Sequence, residues 1–173
     1  MEVGAALTLL ALDTSTPLAA VAVVRLAADA PRQAPPLAVA VREQRVTTHS
    51  ETLLCLVSAC LGELGLRPAD LSAVACGAGP GSFTGLRIGA ATAKGLCFAL
   101  GVPLVMASSL EALAAPLLFT AETSAVLAAQ DAFRGQVYAR LFPAGDPAAA
   151  ALLAEHPALA EDRAWDPDEL AAA

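Results

Sequence analysis

Three groups of residues have the types and spacing that chemistry could use. The first is the glycine-rich string Gly79-Pro80-Gly81-Ser82-Phe83-Thr84-Gly85, which follows a short apolar run and precedes a long helical pattern. Ser82 or Thr84 can cap that helix, and the amides of such a turn, at the positive end of a helix, could hold an anion. The same glycines also suit a plain, tight strand-to-helix connection, and neither a phosphate-loop lysine after Gly85 nor the Rossmann spacing is present. The second group is His49 with Glu51. A histidine beside a carboxylate can act as a general base, but Ser50 between them reads equally as an N-cap with Glu51 in the first helical turn. The other histidine, His156, lies in an acidic stretch near the end and is a poor partner. The third group is Asp131, Arg134 and Tyr138, a polar set around a turn between two strand-like runs.

The elements that must position these groups follow from periodicity. Residues 7–13 and 19–25 read as a hairpin closed by Ser15-Thr16-Pro17, and residues 37–46 as a third antiparallel strand after a Pro- and Ala-rich loop. A helix over 50–64 ends at Gly65, a strand covers 73–76, a second helix runs from about 84 to 100 and stops at Gly101, and a strand covers 103–106. A short helix over 109–118 and strands over 125–129 and 136–142 open a second lobe. Residues 145–173 hold seven acidic residues and one arginine, with a possible helix over 147–155, and this tail is expected to be loosely ordered.

Composition bounds the function. The chain has 173 residues, 57% of them hydrophobic, enough for a packed core. Mean hydropathy is positive, yet glycine, proline or charge interrupts every apolar run before the roughly 20 residues of a spanning helix, so no membrane segment is expected. Glu2 and Asp13 argue against a secretory signal, and the cytoplasm is the expected location. Cys55, Cys60, Cys76 and Cys97 lack CxxC spacing and are read as buried thiols. The net charge of -7 sits mainly in the tail, and no basic cluster is dense enough to hold RNA by itself.

Taken as one string, residues 79–89 resemble the signature of the TsaB family of tRNA threonylcarbamoyladenosine biosynthesis proteins. Neighbouring motifs appear in the same order: Leu10-Ala11-Leu12-Asp13-Thr14-Ser15-Thr16, His49-Ser50-Glu51-Thr52-Leu53-Leu54 and Asp131-Ala132-Phe133-Arg134-Gly135-Gln136-Val137-Tyr138. The resemblance covers about residues 8–142. It implies an α/β actin-like ATPase (ribonuclease H-like) fold, with a βββαβαβ lobe over residues 1–108 and an abbreviated second lobe begun by 109–144. In that fold Asp13 takes the place of a carboxylate near the metal and phosphates of ATP, and Thr14 and Ser15 could add hydroxyls; the alternative is that these residues only bond the hairpin turn. In the catalytic paralogue TsaD two metal-binding histidines fall where this chain has Ser109 and Leu113, and leucine cannot ligate a metal. The family usually has arginine where Phe133 stands and glutamate where Gln136 stands, so this chain departs from the pattern at both positions.

The helices carry the partner expectation. In the first, Leu53, Leu54, Leu56, Val57, Cys60, Leu61 and Leu64 share an arc wide enough to cover a sheet, leaving Cys55, Ser58, Ala59 and Gly62 opposite. In the second, Leu86, Gly89, Ala93, Leu96 and Leu100 share one face, and Ile88, Ala91, Thr92, Gly95 and Ala99 another. A solvated face is normally richer in charge, although a generally alanine-rich composition would look the same. The resemblance implies a non-catalytic subunit that pairs through these faces with a TsaD-like catalytic subunit and works with a TsaE-like ATPase. It would meet tRNA only through the complex, with no cofactor of its own, since ATP belongs to the complex. The alternatives are a self-sufficient ATPase or metallopeptidase, and a homodimeric module of unrelated role.

Overall fold

The computed structural model describes residues 6–31, 34–45, 49–118, 125–144, 153–154 and 157–172, with the backbone alone at 49–51. The chain divides into two compact units, Met1–Gly77 with Phe83–Met106, and Ala78–Ser82 with Ala107–Ala173. The short glycine-rich loop thus clusters with the second unit although both its flanks belong to the first.

The first unit is built on a five-stranded sheet in the order β3-β2-β1-β4-β5. Strands β1 (Ala6–Asp13), β2 (Leu18–Ala27) and β3 (Ala38–Arg45) are antiparallel neighbours. Strand β4 (Ala73–Gly77) runs parallel to β1, and β5 (Leu104–Ala107) lies beside β4 at the edge. Side chains in a strand alternate between faces, so the register decides what is buried. Leu10 faces Val23 and Val74, and Val23 faces Ala40, so one apolar row crosses four strands. Leu12, Val21 and Cys76 extend the same buried face.

Helix α1 (His49–Glu63) covers that face with Leu53, Leu56, Val57, Cys60 and Leu61. Helix α2 (Phe83–Leu100) covers it with Gly85, Gly89 and Ala93, a line of small residues that lets the helix lie close to β1 and β4. Where α2 ends, Gly101 adopts φ 69°, a left-handed value that costs glycine little, and both Gly101 and Val102 donate their N–H to the Cys97 carbonyl. The order βββαβαβ is the one the sequence implies. Leu54 departs from the expected arc, being 49% exposed, and the thiols divide: Cys60 and Cys76 are buried, Cys97 half-buried and Cys55 exposed.

The close approach of α2 depends on one hydroxyl. Thr14, 1% exposed at the end of β1, donates its Oγ1 hydrogen to the Gly85 carbonyl at 2.8 Å. A Cβ added at Gly89, one turn further along α2, would collide with the same Oγ1.

The second unit holds strands β6 (Ala125–Phe133), β7 (Gln136–Pro143) and β8 (Arg163–Trp165) in that order, all antiparallel. Helix α3 (Ser109–Leu118) packs Leu110 and Ala114 on one face of this sheet, against Val126, Ala128 and Phe142. The opposite face is covered by the end of the chain, where Leu159 and Trp165 bury Ala139 and Leu141. Residues 157–172 are therefore packed, which corrects the expected loose tail. They form a single 3-10 turn (Pro157–Ala160), β8 and a short helix (Pro167–Ala172). Their apolar anchors are few and widely spaced, so no periodicity announces them. The possible helix over 147–155 lies almost wholly outside the described residues.

Two expectations follow. Ordinarily Gly→Ala inside a helix is stabilising by about 1 kcal/mol. Gly89→Ala should instead destabilise the protein by roughly 1–3 kcal/mol through overpacking, and the penalty should shrink when Thr14→Ala is already present; chemical denaturation of the two single variants and the double variant measures that coupling. Trp165, the single tryptophan, is 4% exposed. Trp165→Ala should lower stability by about 3–5 kcal/mol, read by circular dichroism in urea, and an unchanged midpoint would show that this segment does not pack on β7.

Candidate functional site

The turn from β1 into β2 gathers Asp13, Thr14 and Ser15; Asp13 and Ser15 bond each other, and Thr14 bonds α2. The Asp13 carboxylate accepts bonds from the Ser15 N–H at 2.7 Å and the Ser15 hydroxyl at 2.6 Å. Thr16 Oγ1 accepts from the Leu18 N–H at 3.1 Å, which brings the chain into β2. Thr14 and Ser15 are both buried, and the Thr14 hydroxyl holds α2. The Asp13–Ser15 contacts are those of an Asx-type turn. The Asp13 charge is felt by the Cys76 thiol: burial first, then Asp13, then Cys97 push it up to about 11. A thiol so placed stays protonated at neutral pH and is no nucleophile.

The loop before α2 is held by backbone bonds within the second unit. Gly79 and Gly81 take φ values of 90° and 156°, and the Gly79-Pro80 peptide is cis. The Ala78 N–H donates to the Ala107 carbonyl at 2.7 Å, and the Ser109 N–H donates to the Gly79 carbonyl at 2.8 Å. The second bond satisfies a free amide in the first turn of α3, where Ser108 Oγ also accepts the Glu111 N–H at 3.1 Å as an N-cap. Ser82 immediately precedes α2, in the N-cap position, while Phe83 and Thr84 are exposed in its first turn and Gly85 is buried. Arg87 stacks its guanidinium 5.1 Å from the Phe83 ring centre.

Ser109 and Leu113 lie one turn apart on α3, Ser109 buried and Leu113 53% exposed. Among the described residues no group of three or more His, Cys, Asp or Glu side chains is arranged to hold a metal. His49 opens α1, one residue earlier than expected, and the side chains of His49, Ser50 and Glu51 lie outside the described residues, as does His156.

Asp131, Arg134 and Tyr138 do not converge. The β6–β7 register slips between Asp131 and Phe133, and Phe133, Arg134 and Gly135 all take left-handed φ values, 63°, 55° and 79°. Asp131 stabilises that tip by accepting the Phe133 N–H at 2.7 Å. Arg134 is exposed at the apex, whereas Tyr138 packs on the cluster beneath α3. An open depression of about 380 Å³ beside the tip is lined by Ala129, Gln130, Asp131, Gly135, Gln136 and Val137.

The outer faces of α1 and α2 carry the small residues singled out by helical spacing. The two helices pack side by side. Cys55, Ser58, Ala59 and Gly62 on α1 and Ala91, Gly95 and Ala99 on α2 are exposed, with Ile88 and Thr92 half-buried. A Cβ added at Gly62 or Gly95 meets nothing within 4 Å. Sequence reasoning left out Phe98, which is 91% exposed on α2 one residue before Ala99, and placed Leu54 on the covered side. Phe98 follows Ala91 and Gly95 at helical spacing, which puts it on the same outward side of α2.

Residues 10–149 match the family described as TsaD: tRNA N6-adenosine threonylcarbamoyltransferase. The tRNA threonylcarbamoyladenosine biosynthesis protein TsaB of Haemophilus influenzae is 36% identical over 132 residues, covering 76% of this chain and 52% of the relative. The protein of the same description from Bacillus subtilis is 41% identical over 95 residues, covering 54% of this chain and 40% of the relative. In structure, YeaZ from Pseudomonas aeruginosa aligns with a TM-score of 0.68 at 33% identity, over 79% of this chain and 60% of that one. This chain spans about half the length of the curated relatives it matches. The fold is the α/β actin-like, ribonuclease H-like one. With the signature loop, both helices and most of the hairpin inside the matched span, the chain belongs to the TsaD-type family as a TsaB/YeaZ-like member.

Proposed function

We propose that this chain is a non-catalytic partner subunit in tRNA threonylcarbamoyladenosine formation, and that the outer faces of α1 and α2 receive a TsaD-like catalytic subunit. The observation that carries the reading is that surface: a run of exposed small residues across two adjacent helices, with Phe98 91% exposed beside it. Small residues allow helices to approach closely, and an exposed aromatic that a partner buries is the kind of anchor that dominates association energy. A TsaE-like ATPase is the further partner, tRNA is met through the complex, and the setting is cytoplasmic.

The reading assigns this chain no cofactor. Asp13, Thr14 and Ser15 bond one another's turn and the neighbouring helix, and Ser109 and Leu113 stand where the resemblance puts metal ligands. ATP belongs to the assembled machinery on this account. The surface is also compatible with self-association when the partner is absent, and the binding experiment below separates the two.

The isolated chain should hydrolyse neither ATP nor peptide. Turnover that survives purification and disappears on Asp13→Ala would overturn the subunit reading.

Ala59→Arg and Gly95→Glu should abolish pairing with the TsaD-like subunit and leave the monomer folded. Gly95 has open space around it, and replacing a helical glycine gains about 1 kcal/mol of helix propensity. Within a packed interface the same changes bring a clash and a desolvated charge, each on the order of several kcal/mol. Co-purification with the TsaD-like subunit, sedimentation for self-association and circular dichroism on the same variants decide the matter. Intact binding with an intact fold would remove the interface, and loss of a dimer alone would favour self-association.

A further inference from the structure

We draw no further inference here: the strongest candidate, the apolar face of the five-stranded sheet opposite α1 and α2 that carries Val39 and Val41, together with the exposed edge strand β5, is exposed among the described residues, and nothing in the structure shows what covers it.

Discussion

A hydroxyl buried at the end of β1 governs where the longest helix can lie. Thr14 donates to the Gly85 carbonyl, and the helix comes near enough to accept that bond only because Gly89 has no side chain where Thr14 Oγ1 sits. The contact joins residues 71 positions apart and ties the two motifs that most mark the chain, the β1 turn and the glycine-rich signature. With α2 seated there, Ala93 reaches the core and Leu96 and Leu100 pack along its edge. Its other side is turned outward next to α1. A buried hydroxyl needs a partner, so the bond is costly to lose and favours one seating of the helix over others.

That constraint links fold to function. Helix α2, seated on the sheet through small residues, presents the remainder of its circumference to solvent, and there Ala91, Gly95 and Ala99 stand beside Arg87, Lys94 and Phe98. At the end of β1, Asp13 and Ser15 bond each other within the turn, and the Thr14 hydroxyl bonds the Gly85 carbonyl of α2. The second unit follows its own logic: α3 covers one face of its sheet, and the end of the chain covers the other through Leu159 and Trp165.

Much of this was legible before any coordinates. Alternating Val, Leu and Ala in β1 and β2, and glycine at the ends of α1 and α2, are strong local signals, and the observed elements start and stop close to where those signals lie. The signature loop was legible as a connection, but its anchoring to Ala107 and Ser109 is long-range and leaves no trace in local sequence. Burial on individual helices was read less well. Leu54 and Phe98 are large apolar residues that hydropathy assigns to a core, and only the seating of each helix reveals them as exposed. The packed chain end was missed for the opposite reason: its anchors, Leu159 and Trp165, are set among Ala, Pro and acidic residues that read as a solvated tail. Of the candidate site, the small-residue faces could be predicted from helical spacing, while the internal bonding of Asp13 to Ser15 could be framed only as one of two alternatives.

The central claim is that this chain contributes a required surface rather than a reaction. The most direct measurement is the threonylcarbamoyladenosine formed on tRNA by the TsaD-like and TsaE-like subunits of the same organism, supplied with the threonylcarbamoyl donor, with and without this chain. The account predicts modification that depends on its addition and rises to a plateau near one equivalent per TsaD-like subunit. Equal modification in its absence would contradict the account.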